Sequence, residues 1–263
     1  MDVLTERSSR VVSFAKLHRA AARRDQRRFL VEGPNAVTAA IETGRAEIVL
    51  VGEDDAERHR EVLRGAGDAG LDVLLLSDRA VAKLADATTP PGVFAVCELF
   101  DVPLVDVLTD RPTLVAVAVE PSEPGNAGTI IRCADAMGAD AVVFLGDAVD
   151  PHNGKCVRAS AGSVFHLPVT RERSVDDGLA ALRDAGLTLL ATTADGELPL
   201  PEAGEVLAEP TAWLFGNEAH GLSDAVAAVA DHRVSIPIKG RAESLNLATA
   251  AAICLYESAR AQG

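Results

Sequence analysis

Three segments of the sequence place polar side chains between an apolar run and a helix-forming run, where open α/β sheets bind ligands. In the last segment, Ser244 and Asn246 flank Leu245 directly before an alanine-rich stretch. A helix start needs one capping side chain, and either Ser or Asn serves. The pair therefore leaves two interpretations open, a cap alone or a cap beside a ligand-binding group. The segments are VEPSEPGNAGTIIR (119–132), LFGNEAHGLS (214–223) and IPIKGRAESLN (236–246).

Several common catalytic signatures are missing from these segments. None contains the Walker A pattern of phosphate-binding loops or the G-x-G-x-x-G turn of dinucleotide-binding folds. The whole sequence also has no H-E-x-x-H metal motif and no G-x-S-x-G nucleophile elbow. The six histidines are dispersed, so each is interpreted as structural, and no metal is expected. Hydrolase chemistry has little support, and a nucleotide-dependent oxidoreductase is kept only as an alternative.

The charge is distributed unevenly along the chain. The net charge is −14, which disfavours contact with nucleic acid, but residues 1–45 contain nine basic and five acidic residues. A basic arm on an acidic body is typical of local contact with phosphates, and a solvated helix face is the simpler alternative. The basic arm predicts RNA contact through four arginines: Arg23, Arg24, Arg27 and Arg28.

The composition is that of a globular protein. Hydrophobic residues make up 48% and charged residues 24% of the 263 positions. No apolar run is long enough to cross a bilayer, and the first ten residues contain no apolar secretory region. The four cysteines are scattered without a C-x-x-C pair, which favours reduced thiols. We therefore expect a cytoplasmic protein.

Apolar runs and helix-forming runs alternate along the chain. Continuous apolar runs bounded by turn residues suit strands that are buried on both faces, as in parallel sheets. Residues 1–103 predict an N-terminal α/β domain, and FDVPLVDVLTDRP (100–112) reads as the linker that follows it. Residues 104–263 predict a second α/β domain, with an open, mainly parallel sheet and helices on both sides.

The three polar segments, in this order and spacing, resemble motifs one, two and three of the SpoU branch of the SPOUT RNA methyltransferases. VRASAGSVFHLPV (157–169) is similar to the middle segment of that family. The basic start with FLVEGPNAV (29–37) resembles the substrate-binding, ribosomal-protein-like domain that often precedes the catalytic one. Ala127 departs from the pattern, since a larger aliphatic residue is common there. The resemblance implies methyl transfer from S-adenosylmethionine to an RNA ribose 2′-hydroxyl, a trefoil knot, and a homodimer.

The resemblance also assigns roles to residues of this sequence. Arg132 is sometimes regarded as the base that deprotonates the 2′-hydroxyl, but a guanidinium stays protonated in proteins. We expect it to hold a phosphate or stabilise the developing alkoxide, the alternative being an ion pair with Glu218 or Asp135. The catalytic positions implied are Asn126, Arg132, Glu218, Ser244 and Asn246. The cofactor-binding positions implied are Thr192, Thr193, Ala194, Gly216, Ile236 and Leu245.

Several functional interpretations remain open from the sequence. The leading one is methylation of 23S ribosomal RNA, by analogy with a large folded target for the N-terminal domain. A transfer-RNA methyltransferase and a non-catalytic RNA-binding or ribosome-assembly factor on the same fold are the alternatives. The final stretch LNLATAAAICLYESARA (245–261) has many small residues, which suit either a two-fold interface or packing within one chain.

Overall fold

The computed structural model describes residues 3–263. Met1 and Asp2, with which the predicted N-terminal domain begins, lie outside the described residues. The chain divides into two compact units. The first, called unit 1, extends to Phe100 and also takes in Asp150–His166. The second, called unit 2, comprises Asp101–Val149 and Leu167–Gly263.

The α-helices and β-strands of the described residues alternate along most of the chain, as the apolar pattern predicts. The strands are β1 Arg28–Glu32, β2 Ala46–Gly52, β3 Asp72–Leu76, β4 Val93–Glu98, β5 Leu114–Val119, β6 Ala141–Leu145, β7 Val169–Glu172, β8 Thr188–Thr192, β9 Leu198–Pro199, β10 Thr211–Phe215 and β11 His232–Ser235. The helices are α1 Ser9–Ala15, α2 Ala20–Gln26, α3 Pro34–Glu42, α4 Arg60–Asp68, α5 Asp78–Leu84, α6 Leu104–Thr109, α7 Pro124–Ala136, α8 Gly154–Ser160, α9 Val175–Asp184, α10 Gly204–Leu207, α11 Asp224–Val229 and α12 Leu247–Gln262.

Unit 1 is built on a four-stranded sheet in the order β1-β4-β2-β3. Strand β4 is antiparallel to both β1 and β2, and β3 is parallel to β2. One core packs around Phe14, Leu50 and Phe94 and includes residues from α1, α5 and the sheet. Helix α8 belongs to this unit although it lies between β6 and β7 in the sequence.

Unit 2 contains a seven-stranded sheet in the order β7-β6-β5-β10-β8-β11-β9, and every pairing in it is parallel. Strands β5 and β10 are buried along their whole length, because helices cover both faces. The predicted α/β class and the mainly parallel sheet are confirmed. The predicted linker segment is partly helical, since it contains α6. The knot implied by the resemblance stays a prediction.

The strand order brings distant loops together. Strands β5, β10, β8 and β11 are consecutive neighbours and all run in the same direction. The loops that leave their carboxyl ends therefore lie along one edge of the sheet, although they are spread over more than a hundred residues of sequence. Those loops include all three polar segments.

The last helix, α12, packs within unit 2. Its small residues Ala248, Ala251 and Cys254 are buried, and the buried Trp213 of β10 donates its Nε1–H to Ser258 Oγ at 2.8 Å. The small-residue side of α12 thus serves packing within one chain. Ile253 and Tyr256 remain exposed, Tyr256 by 53%. None of the helices in residues 3–263 is long and apolar enough to cross a membrane.

Candidate active site

A cavity of about 470 Å³ opens in unit 2 at the carboxyl ends of β8, β10 and β11. This volume is within the range of about 300–1,000 Å³ that is usual for small-molecule and cofactor sites. All six predicted cofactor-binding residues contribute to its lining. They are Thr192, Thr193, Ala194, Gly216, Ile236 and Leu245.

The loop after β10 is a tight turn that depends on Gly216. A Cβ atom at this position would overlap the backbone of Gly221 and Leu222. Asn217 and Gly221 exchange backbone hydrogen bonds of 2.9 and 2.8 Å, and Asn217 Nδ2 donates to the Glu120 carbonyl at 2.8 Å. Glycine is thus required here by the loop's own backbone.

The loop after β8 presents an unpartnered polar group beside the cavity. The backbone N–H of Thr193 donates to the Val234 carbonyl at 3.0 Å, which fixes this loop to β11. The Thr193 hydroxyl is buried and has no hydrogen-bond partner among the described residues. A buried polar atom without a partner is costly, and Thr193 is one of the residues that line the cavity.

The loop before α12 supplies an apolar side to the cavity. Ile236, Ile238 and Leu245 line it, and Leu245 is 36% exposed. Ser244 also lines the cavity and is exposed. Leu245 therefore contributes apolar surface, while Ser244 offers a hydroxyl next to it.

A chain of hydrogen bonds joins the three polar segments at the edge of the cavity. Asn126 Nδ2 donates to Glu218 Oε1 at 3.0 Å, and Asn246 Nδ2 donates to Asn126 Oδ1 at 3.0 Å. Asn246 Oδ1 accepts from the backbone N–H groups of Ala248 and Thr249 at the start of α12. We call Glu218, Asn126 and Asn246 the amide chain. Three of the five predicted catalytic residues are thereby brought together.

Asn246 has more than the capping role that was one of the two interpretations of the Ser244 and Asn246 pair. Its side chain is the N-cap of α12 and, through its other amide atom, a member of the amide chain. Asn126 has no capping role, because α7 already begins at Pro124 after the N-cap residue Glu123. Its Nδ2 donates to Glu218 and its Oδ1 accepts from Asn246, so both ends of the amide take part in the amide chain.

Glu218 is held as an ionised carboxylate. It accepts hydrogen bonds from the Ser122 N–H and hydroxyl, both at 2.9 Å, and from the Glu123 N–H at 3.1 Å. Partial burial alone would raise the pKa of Glu218, but the hydrogen bonds from Asn126 and Ser122 outweigh it and lower the pKa to about 2. A carboxylate of this kind does not exchange protons near neutral pH, and its hydrogen bonds join the segment-one and segment-two loops.

Arg132 lies apart from the amide chain. It is exposed on α7, and no ion pair with Glu218 is present within residues 3–263, where Glu218 bonds to Asn126 and the segment-one loop instead. The alternative of an Arg132–Glu218 ion pair therefore has no support. An exposed guanidinium is free to approach an anionic ligand.

The four arginines predicted to bind RNA have different surroundings in unit 1. Arg23 is 3% exposed and donates to Asp150 at 2.5 Å and to the carbonyls of Leu17 and His18. These bonds occupy its guanidinium, so the structure gives Arg23 a packing role. The other three are exposed: Arg24, Arg27, which donates to the Leu99 carbonyl at 3.2 Å, and Arg28, which pairs with Glu47 at 2.6 Å.

Two residues of the site were not singled out from the sequence. Ser122 donates two hydrogen bonds to Glu218, and Asn217 fixes the segment-two turn. Both lie inside the quoted segments, but no spacing rule distinguishes them from neighbouring polar residues. In the part of the chain that the structure describes, no three His, Cys, Asp or Glu side chains form a group that could hold a metal ion.

Two family models match the chain. The SpoU rRNA Methylase family matches residues 113–256, and the MRM3-like substrate binding domain matches residues 8–95. The first match contains the cavity and the amide chain, and the second contains most of unit 1. Both agree with the resemblance drawn from the motifs.

Individual relatives are similar over nearly the full chain. The Bacillus subtilis 23S rRNA (guanosine(2553)-2′-O)-methyltransferase RlmP is 34% identical over 97% of this chain and 98% of its own. The Streptomyces viridochromogenes 23S rRNA (uridine(2479)-2′-O)-methyltransferase is 35% identical over 88% of this chain and 82% of its own. The crystal structure of an AdoMet-bound rRNA methyltransferase from Sinorhizobium meliloti has a TM-score of 0.84 and 30% identity, covering 98% and 97% of the two chains. On these matches the chain belongs to the SpoU rRNA methylase family.

Proposed function

We infer that this chain transfers the methyl group of S-adenosylmethionine to a ribose 2′-hydroxyl of 23S ribosomal RNA. The observation that carries the inference is the cavity whose edge is built by the amide chain. Its lining includes every cofactor-binding position that the motifs predict. Both relatives described above are named as 23S rRNA 2′-O-methyltransferases.

The cavity is chemically suited to the cofactor. Ile236 and Leu245 offer apolar surface for an adenine ring, and the Thr193 hydroxyl offers a hydrogen bond. The strand-end loops add backbone donors and acceptors around them. When bound, S-adenosylmethionine supplies an electrophilic methyl group on a positively charged sulfur.

We propose separate tasks for the residues around the cavity. The amide chain fixes the segment-one loop against segment three, so that the ribose is presented in a single geometry. Ser244 offers its exposed hydroxyl beside the cavity as a hydrogen-bond partner for the ribose. Arg132 stabilises negative charge on the ribose oxygen or an adjacent phosphate, and Glu218, being ionised, has no part in proton transfer.

The remaining assignments are proposals on the same basis. We propose that residues 1–103 bind RNA and residues 104–263 catalyse methyl transfer in the cytoplasm. We propose that the RNA-facing arginines of unit 1 are Arg24, Arg27 and Arg28, since Arg23 is buried. The exposed side of α12, with Ile253 and Tyr256, is proposed as part of a homodimer interface.

One sequence pattern bears on the oxidoreductase alternative. Residues 65–70 read GAGDAG, which fits G-x-G-x-x-G, but they lie at the end of α4 rather than between a strand and a helix. The phosphate-binding arrangement needs the strand-turn-helix context. This alternative therefore has no structural support in the described residues.

The function is tested by mapping 2′-O-methylation in ribosomal and transfer RNA from cells with and without the gene. We expect one ribose of 23S rRNA to lose its methyl group when the gene is absent. Loss confined to transfer RNA would establish the alternative substrate, and no loss in either RNA would favour a non-catalytic factor. Cofactor binding is followed by the fluorescence of Trp213, the single tryptophan, which stacks on the cavity residue Phe215.

Replacement of Arg132 tests its assigned role. We expect Arg132→Ala to lower kcat by at least about 100-fold, as when a donor to a developing oxyanion is removed. Cofactor binding should be unchanged, because Arg132 does not line the cavity. Arg260→Ala is the matched control, since Arg260 is exposed and pairs with Glu257. Loss of cofactor binding in a folded Arg132→Ala protein would contradict the assignment.

A further inference from the structure

The segment between β11 and α12 has apolar side chains that line the cavity and basic side chains that do not. It contains no helix or strand from Ile236 to Asn246. Ile236, Ile238 and Leu245 line the cavity, whereas Lys239 and Arg241 are exposed and do not line it. The two cations therefore lie on the outer rim of the same segment whose apolar side chains face the cavity. We call Lys239 and Arg241 the rim cations.

In the described part of the chain the rim cations have no acidic partner, unlike three other arginines of unit 2. Within residues 3–263 neither Lys239 nor Arg241 takes part in an ion pair or a side-chain hydrogen bond. By contrast, Arg233 on β11 binds Glu197 at 2.8 Å and Asp195 at 3.5 Å. Arg183 pairs with Asp231, and Arg260 pairs with Glu257 at 2.7 Å. The chain thus leaves two adjacent cations without a partner at the edge of its cavity.

This placement suits a polyanionic substrate. With a net charge of −14 the protein as a whole repels RNA, so local cations have to provide the attraction. A ribose presented to the cavity carries its phosphates on the 3′ and 5′ sides, at the distance of a few bonds. Cations on the rim can meet such a phosphate while the cavity holds the methyl donor.

We propose that Lys239 and Arg241 bind a phosphate of the RNA next to the target ribose. This proposal rests on the proposed function for the identity of the substrate. It adds a contact in the catalytic half of the chain to the one proposed for the N-terminal half.

The test compares two double variants of the full chain that have the same net charge. Lys239→Gln/Arg241→Gln removes the rim cations, and Arg183→Gln/Arg260→Gln removes two that are already paired. Binding of a fluorescein-labelled 23S rRNA transcript is measured by anisotropy between 50 and 300 mM potassium chloride. For one single-strand phosphate contact, the magnitude of the slope of log K against log salt should fall by about 0.7, and affinity at 0.1 M salt by roughly fivefold. The control pair should change neither quantity appreciably.

Two further readouts separate the possible outcomes. Trp213 fluorescence should report unchanged S-adenosylmethionine binding in the rim variant, and a loss there would overturn the proposal by assigning the cations to the cofactor. An unchanged salt slope would overturn it as well. If the unaltered chain methylates no RNA but binds the transcript with a slope that depends on the rim cations, the proposed function fails and the rim contact stands.

Discussion

The two units contain polar networks of different kinds, buried ion pairs in unit 1 and a partly exposed chain of hydrogen bonds in unit 2. In unit 1 the nearly buried Arg23 pairs with Asp150, and Arg158 pairs with Glu32 at 2.9 Å. Both pairs attach the segment Asp150–His166 to the N-terminal part of the chain. In unit 2 the amide chain is partly exposed, carries one charge, and borders a cavity.

The two networks differ in their burial and in what lies next to them. Burial alone would raise the pKa of Asp150, but the hydrogen bonds from His152 and Arg23 outweigh it and hold the pKa well below its usual range. Such buried charges are expensive to separate, so this network serves the fold. The amide chain instead joins loops that border the cavity, where we propose that the cofactor binds. Variants of the first network should therefore affect stability, and variants of the second should affect activity.

The largest expected effect is on stability in unit 1. Arg23→Met leaves the Asp150 carboxylate without its guanidinium partner, and we expect a loss of about 3–5 kcal/mol in the free energy of unfolding. Denaturant unfolding followed by circular dichroism measures it. Arg28→Met is the control, because the exposed Arg28–Glu47 pair should contribute less than about 1 kcal/mol. Equal losses of unfolding free energy in the two variants would contradict the expected difference between the buried and the exposed ion pair.

The second effect is on catalysis in unit 2. Asn126→Ala interrupts the amide chain at its centre and frees both Glu218 and Asn246 from their shared partner. We expect kcat to fall by about 100-fold, since the loops lose their fixed geometry. Single-turnover methylation of a 23S rRNA transcript measures this. A fall in RNA affinity alone, with kcat unchanged, would argue against a positioning role.

Two asparagine caps permit a matched comparison between the units. Asn246 caps α12 and belongs to the amide chain, whereas Asn153 caps α8 by accepting from the Lys155 N–H at 2.9 Å. Replacing either by Ala should cost about 1 kcal/mol of stability through the lost cap. Only Asn246→Ala should also reduce kcat, by tenfold or more. Identical kcat values in the two variants would mean that Asn246 is a cap and nothing else.

The smallest effect concerns pH. The pKa of Glu218 is about 2 in the folded chain and 4.5 in its ordinary state, so its stabilising effect is complete above about pH 5. That contribution is lost as pH falls from 4.5 towards 2. Glu218→Gln should therefore have a lower free energy of unfolding than the unaltered chain at pH 6, and the difference should be smaller at pH 3. Urea unfolding of both proteins at the two pH values measures this difference. A difference that is larger at pH 3 than at pH 6 would contradict the stabilisation of ionised Glu218 by its hydrogen bonds.

The amino-acid sequence by itself predicted the local structure and the candidate site residues. Continuous apolar runs such as 46–52 and 114–119 predict buried strands, because their periodicity leaves no polar face. The Gly- and Pro-containing segments carry residues that favour turns and helix starts, so they can be placed at strand ends. The family resemblance was enough to name the five catalytic and six cofactor-binding positions, and Asn246 was a cap candidate from its side chain alone.

Only the tertiary structure decided which of these residues share contacts. Asn126 and Glu218 are 92 positions apart, and Asn126 and Asn246 are 120 apart, so no local pattern records their pairing. The same holds for Arg23. Its sequence context does not distinguish it from the neighbouring arginines, and its partner Asp150 lies 127 positions away. Turn and strand preferences act over a few residues, whereas strand order and burial depend on the whole chain. The sequence therefore determines the parts of the site, and the parallel sheet determines which parts meet.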